Sequence, residues 1–397
     1  MRVPGPLDGF RVVEIAEGVA GPYTAMSLGD AGSDVIKIEP PQGDRSRGWA
    51  PSLDSASPVF RTLNRSKRGI VLDWSSEQDI ETARRLLAQA DVAVVDKYGL
   101  PPELGWERLN APGLVYCAIS GFGPQGPWAD RPASELGTQM ASEATSSLGN
   151  LGEPPVRHGS DIGSVFAANN AIQAICAALY ARDDSDPSNP TGGQRVEVSL
   201  FGSLIAMRST LWVALSNPDE WWGFHLDSYV KPPDHGYQCR DLPIYFSLAR
   251  IRGEAFDSLI DELGMDWARE HPDYEKLRTD GAGGAGRYAA ELKPLWERGF
   301  ANFNADRVME IVERHGGWAF PMHDYERLSN DPQVAAVGAI IDLEQSDGSL
   351  MSQIAPPWDF EGTPVPTPTR PVPKLGEHQS EVLRELSPNA TPPKIGT

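Results

Sequence analysis

Two textures of apolar residues alternate through the first 120 residues. FRVVEIA (10–16), DVIKIE (34–39), GIVLDW (69–74), DVAVVD (91–96) and LVYCAIS (114–120) are short, dense runs. Their length and β-branched content predict buried strands. Between them, apolar residues recur every three or four positions. YTAMSLGDAG (23–32) and SSEQDIETARRLLAQA (75–90) therefore predict helices, the first ending near Gly32. In the second, Ser76 to Gln78 opens the first turn, and Ile80, Ala83, Leu86 and Leu87 make one apolar face. Strand, helix and strand in succession predict βαβ units and a parallel, Rossmann-like sheet of the α/β class.

The longest helical pattern is RHGSDIGSVFAANNAIQAICAALYAR (157–182). Ile162, Val165, Phe166, Ile172, Ile175, Cys176 and Leu179 predict a helix buried over much of its surface. Ser160 or Asp161 is expected to cap it by accepting a first-turn N–H, worth about 1 kcal/mol. Ser164 falls inside that first turn.

The texture changes over 216–334, with WWGFH, helix-like EAFDSLIDELG and NADRVMEIVERHG, and a flexible TDGAGGAG turn. A smaller α+β domain is expected there. It separates the first part of the large domain (1–215) from its return (335–397). The return carries a proline-rich strap, PTPTRPVP (366–373), and a last helix in EHQSEVLRELS. No internal repeat is evident.

The chain has 397 residues, 40% of them apolar and 23% charged, which fits a globular protein of two domains. A net charge of −20 argues against nucleic-acid binding, which needs a basic surface. It leaves room for an anionic ligand, because helix N-termini and single basic residues bind anions in acidic proteins. The three cysteines, Cys117, Cys176 and Cys239, lie far apart without zinc spacing, and no metal site is expected. Cys117 and Cys176 sit in apolar runs and are expected in the core. Without a signal-peptide pattern or an apolar run of roughly 18–20 residues, a soluble cytoplasmic protein is expected.

GFGPQG (121–126) matches G-x-G-x-x-G after a strand, but Pro124 interrupts it and no helix follows. It reads as a tight turn beside a pocket, not as a dinucleotide loop. AEGVAGP (16–22) is the stronger ligand contact, since it feeds a helix whose free N–H groups suit a phosphate. No Walker loop or G-x-S-x-G elbow occurs. His315 and His323 lack metal-pair spacing, and His158 reads as a solvated loop residue. Tryptophans such as Trp49, Trp128, Trp221, Trp222 and Trp318 read as packing.

Taken together, several blocks resemble the family III CoA-transferases, the CaiB/BaiF group. They are LDGFRVVEIAEGVAGPYTAMSLGDAGSDVIKIEPPQGDRSRGW, FRTLNRSKRGIVLDWSSEQDIE, ISGFGPQGPWADRP, GGQRVEVSLFGSLIA, NDPQVAAVGAI and PKLGEHQSEVLREL. The resemblance spans nearly the whole chain. It implies an interlocked dimer that binds an acyl-CoA between the large domain of one protomer and the small domain of the other. It also implies CoA transfer between an acyl-CoA and a carboxylic acid, with CoA as part of the substrate and no tightly bound cofactor.

Laid over GSDIGS (159–164), the family's nucleophilic Asp falls on Ser164, and Asp161 lies one turn earlier. A second family carboxylate falls on Glu135. The His and Asp of related racemases fall on Ser134 and Ser164. The resemblance places CoA-binding positions at Gly18, Val19, Ala20, Leu72, Asp96 and Lys97. Of these, Val19 replaces a common Gln, and Val95, Asp96 and Lys97 replace Glu-Asn-Phe. The glycine loop of formyl-CoA transferase has no evident counterpart.

The missing Asp matters chemically. A carboxylate attacking a thioester gives an activated anhydride, whereas a serine gives an ordinary ester and needs an adjacent base. Three readings stay open. The chain is a transferase using Asp161 or Glu135; it is the non-catalytic, CoA-binding subunit of a hetero-oligomeric transferase; or it is an acyl-CoA isomerase with Glu135 as base. The acyl group, and the choice of homodimer or heterodimer with a related subunit, are not legible.

Overall fold

A computed structural model describes residues 4–51, 56–97, 100–147, 154, 156–184, 192–209, 236–248, 251–280, 289–345, 348–365 and 370–387. The chain divides into two compact units, one of 1–148, 155–209 and 335–397, the other of 149–154 and 210–334.

The main sheet of the first unit has six strands, β1 (Arg11–Ile15), β2 (Asp34–Glu39), β3 (Arg68–Val71), β4 (Val92–Asp96), β5 (Val115–Ser120) and β6 (Arg195–Ser199), and strands over Ile340–Glu344 and Leu350–Ile354 pair separately. The six run in the order β3-β2-β1-β4-β5-β6, and every pairing among them is parallel. The unit's helices include α1 (Ala20–Asp30), α2 (Pro58–Leu63), α3 (Glu77–Ala88), α4 (Glu135–Ala141), α5 (Ile162–Asp183) and α6 (Leu200–Met207). Alternate strand residues serve opposite faces, as the two-residue period requires. Val12, Val35, Val92, Val94 and Cys117 pack with α1 and α5. Val13, Ile36, Ala93 and Val95 pack with α3 and with a helix over Gln379–Glu385.

Five of the six strands match the apolar runs. Strand β6 does not announce itself that way: RVEVS lies at the sheet edge and is only part-buried. Helix α1 starts three residues earlier than its periodicity predicts. Gly21 permits this, since a Cβ there would meet Ala16 Cβ at 2.3 Å. Pro22 sits where a first-turn N–H has no intrahelical partner anyway. Ser76 caps α3, its hydroxyl accepting the Asp79 N–H at 3.3 Å.

Helix α5 corrects two expectations. Its buried face consists mainly of small residues: Gly163, Ser164, Ala167, Ala168, Ala171 and Ala178, with Ile175 and Leu179. Phe166 and Tyr180 are exposed, and so is Cys176, which is not in the core. Cys117 is buried, and burial pushes its thiol up to about 12. The helix is also long and apolar enough to cross a membrane by length and composition, contrary to expectation, because alanine raises the average across its polar positions. Here it packs against the sheet and α1.

A buried ionic cluster ties β1 to β2. Lys37 Nζ reaches Glu14 Oε1 at 2.8 Å, Asp44 Oδ2 at 2.9 Å and Ala16 O at 2.8 Å. Lys67 Nζ reaches Glu14 Oε2 at 2.7 Å, Asn64 Oδ1 at 2.8 Å and Pro22 O at 2.9 Å. Burial alone would discharge Lys37, but Glu14, Asp44 and Glu39 outweigh it and hold its pKa above the usual lysine range. At the far edge, Arg68 binds Asp34 at 2.6 Å and Glu385 at 2.6 Å, pinning the Gln379–Glu385 helix to the sheet.

In the second unit, β7 (Tyr237–Gln238), β8 (Pro243–Ser247) and β9 (Trp318–Pro321) form an antiparallel sheet. It shares a core of Phe246, Phe256, Trp296 and Phe300 with helices over Glu254–Glu262, Ala289–Phe300 and Ala305–Arg314. WWGFH, with Trp221 and Trp222, residues 281–288 of the glycine-rich stretch, and 366–369 of the strap lie outside the described residues.

Candidate active site

The sheet grows outward in both directions from β1 and β4, so their carboxyl ends flank the topological switch point, where open parallel sheets leave a crevice. A cavity of about 480 Å³ opens there. Ile15, Ala16, Glu17, Val19 and Ala20 contribute from the end of β1 and the start of α1. Ile38 lies near the end of β2, with Pro40 and Arg45 after it; Trp74 follows β3; Asp96 ends β4, and Leu100 follows it. Ile119, Ser120 and Gly121 end β5; Pro132, Ala133, Ser164 and Leu200 complete the wall.

Val19 is the N-cap of α1, with no side-chain cap and no acidic residue in the first turn. The positive end of that helix dipole therefore faces the cavity without an acid of its own, and the nearby carboxylate is Asp96, whose Oδ1 lies 3.6 Å from where a Cβ on Gly21 would stand. Ile38, Pro40, Trp74 and Leu100 supply apolar wall nearby, and among the described residues Arg45 supplies the one basic side chain of the lining. Arg45 Nη2 lies 3.1 Å from where a Cβ on Gly18 would stand, and Gly18 has φ +81°. A side chain at 18 would crowd the guanidinium.

Asp96 Oδ2 accepts the Glu17 N–H at 2.8 Å, joining β4 to the turn after β1. Burial pushes the Asp96 carboxyl up to about 7, against the Glu17 N–H, Arg45 and Lys37, which favour its charge. The Gly18 N–H donates to Asp44 Oδ1 at 3.2 Å.

Ser164 lines the cavity from the first turn of α5, and it is 8% exposed. Its hydroxyl donates to Glu135 Oε2 at 2.7 Å and its N–H donates to the same oxygen at 2.9 Å. Glu135 Oε1 accepts the Gly163 N–H at 2.7 Å and Gln139 Nε2 at 2.8 Å. Glu135 is the first residue of α4, so one carboxylate serves the N-termini of two helices. Gly163 allows the approach: a Cβ there would stand 3.0 Å from Glu135 Oε1.

This overturns the expected cap. Asp161 occupies the N-cap position of α5 but makes no side-chain cap hydrogen bond. Its side chain is exposed and is not part of the cavity lining. Partial burial and the Glu135 charge push its carboxyl up, against Arg157.

Of the six binding positions, Val19, Ala20 and Asp96 line the cavity and Gly18, Leu72 and Lys97 do not. Leu72 is a core residue, 1% exposed. Lys97 Nζ donates to Ala129 O at 2.6 Å and bridges to Asp130 at 3.4 Å, so it fastens the loop after β5. GFGPQG is a turn beside the cavity: the Gly123 N–H donates to Ser120 Oγ at 3.0 Å, and Gly121 is in the wall. Behind it, Phe122 and Phe201 pack on Trp128 at 5.3 and 5.7 Å between centroids. His158 is half-buried.

Pattern reading of the sequence missed Arg45, Trp74 and Gln139. Arg45 and Trp74 are legible only as residues just beyond strand ends, where such sheets present ligand-binding side chains. Gln139 carries a usable signal, since it lies four residues after Glu135 on one helix face.

A family model described as CoA-transferase family III matches residues 7–379. A succinate–glutarate CoA-transferase of Agrobacterium fabrum is 30% identical, over 96% of this chain and 96% of that protein. A succinyl-CoA–D-citramalate CoA-transferase of Chloroflexus aurantiacus is 27% identical, over 97% of this chain and 95% of that protein. A solved CaiB/BaiF family protein from Brucella suis superimposes with a TM-score of 0.79 at 26% identity, covering 97% of this chain and 100% of that one.

Proposed function

The chain belongs to CoA-transferase family III, and from that membership we propose that it is the acyl-CoA-binding partner subunit of a CoA-transferase whose nucleophilic carboxylate comes from a related chain. One observation carries this reading. The side chain that α5 presents to the cavity is the Ser164 hydroxyl, and the carboxylate beside it, Glu135, is occupied by four donors. A serine ester is less activated than a thioester, so handing the acyl group on to CoA again is uphill. Glu135 could attack only by giving up its hydrogen bonds to α5, each worth about 1.5–3 kcal/mol for a charged acceptor. Asp161 would have to move into the cavity, and a displacement of even about 1 Å can cost roughly a hundredfold in rate.

The cavity suits an acyl-CoA laid with its phosphates toward the α1 N-terminus and Arg45. Its base would lie along Trp74 and Leu100, and its thioester toward Ser164 and Gly121. The two curated relatives are named for succinate, glutarate and D-citramalate, so a short dicarboxylic acyl group is the first to try. No cofactor beyond CoA is required by this chemistry. Met140 is 62% exposed and Tyr180 71%, apolar surface that an interlocked dimer with a related chain would cover. The free thiols suit a reducing, cytoplasmic setting.

The test is direct. The purified chain is given succinyl-CoA and glutarate, alone and after co-expression with a related chain carrying Asp at the position of Ser164, with hydroxylamine to trap activated carboxylates. CoA binding without transfer is expected of the chain alone, and transfer of the mixed complex. Transfer by the chain alone, with a trapped adduct on Asp161 or Glu135, would refute the partner-subunit reading.

A further inference from the structure

Asp96 ends β4 on the cavity wall, at the switch point of the sheet. One carboxylate oxygen is tied to the Glu17 N–H at 2.8 Å. Among the described residues the charged side chains of the lining are Glu17, Asp96 and Arg45, so two acids stand against one base in a cavity that also receives a helix N-terminus. The lysines around Asp96 are committed. Asp44 and Glu14 hold Lys37, Lys97 is bound to Ala129 O and Asp130, and Glu17 Oε2 accepts the backbone N–H of Arg45 at 3.4 Å, which leaves the Arg45 guanidinium to the cavity. With Asp96 neutral, the lining balances one acid against one base and leaves the helix end to attract phosphate. With Asp96 charged, the excess negative charge opposes it at low dielectric.

We propose that Asp96 couples ligand binding in this cavity to a proton: a phosphate-bearing ligand of the CoA class is accepted with the Asp96 carboxyl neutral and opposed with it ionised. The inference rests on the reading of this cavity as the CoA site. It is consistent with the burial that already holds the carboxyl near 7 before any anion arrives. A bound anion raises that value further, so binding above neutrality takes up a proton. The turn at Glu17 would accept an amide as readily as a carboxylic acid, which makes Asp96→Asn the matching variant.

CoA is titrated calorimetrically into the full chain and into Asp96→Asn at pH 6 and pH 8, each in two buffers of different ionisation heat. For the unaltered chain, affinity about tenfold weaker at pH 8 is expected, with an uptake approaching one proton per CoA. For Asp96→Asn, affinity near the unaltered chain's pH 6 value is expected at both pH values, with only the proton exchange of CoA's own phosphate. CoA binding with the same pH profile and proton count in both proteins overturns this inference alone. Absence of CoA binding by both proteins at both pH values overturns it together with the CoA reading.

Discussion

Ser164 donates to Glu135 Oε2 twice, through its hydroxyl at 2.7 Å and its backbone N–H at 2.9 Å. The cap of α5 therefore comes from 29 residues upstream, on another helix, and the residue at the N-cap position does not supply it. The same contact sets the hydroxyl at the cavity wall.

Removing the cap separates the two acids. Glu135→Ala leaves the Gly163 and Ser164 N–H groups unpaired and should lower stability by about 1–2 kcal/mol in urea unfolding. Asp161→Ala, which loses no cap bond, should stay within about 0.5 kcal/mol of the unaltered chain. Equal losses would mean that Asp161 shares the capping.

A carboxylate at the Ser164 position should restore the missing chemistry. Ser164→Asp sets an acid on the cavity wall against Glu135, and the like charge raises one of the pair. Hydroxylamine trapping after incubation with succinyl-CoA should label residue 164 in the variant only. CoA exchange should rise at least about tenfold over the unaltered chain, equivalent to ~1.4 kcal/mol of barrier. An unlabelled, inactive but folded variant would locate the defect elsewhere.

Stability should carry the signature of Asp96. Its carboxyl ionises near 7 when folded, against 3.8 for an ordinary aspartate, so the folded chain holds the extra proton between those values. Its contribution is most favourable below about pH 4 and is lost as pH rises toward 7. Tm followed from pH 4.5 to 8 should show Asp96→Asn gaining on the unaltered chain as pH rises. A constant difference across that range would contradict this assignment.

Glu14 holds two buried ammonium groups at once, Lys37 at 2.8 Å and Lys67 at 2.7 Å. Glu14→Gln removes the shared counter-charge and should destabilise by about 3–5 kcal/mol, measured by denaturant midpoint at constant slope. A loss below about 1 kcal/mol would show that Asp44, Asn64 and the backbone carbonyls suffice.

Local order was readable in advance where neighbours in sequence are also neighbours in space. The dense apolar runs RVVEI and VAVVD predict buried strands, and Ser76 marks the start of α3. The same reading misjudged α5. Its large residues suggested the buried face, but α1 and the sheet approach so closely that alanines fill it and Phe166 and Tyr180 are left outside. Cys176 went wrong for the same reason.

The blocks shared with relatives identified the family and put a hydroxyl at residue 164, because those are matters of residue identity and order. Which groups meet was settled by packing. Glu135 reaches Ser164, Asp96 joins Glu17, and Leu72 and Lys97 turn away from the cavity, through contacts between segments far apart in the chain. Periodicity reports what a segment can bury, but hydrogen-bond partners and electrostatic neighbours depend on where the other segments come to rest.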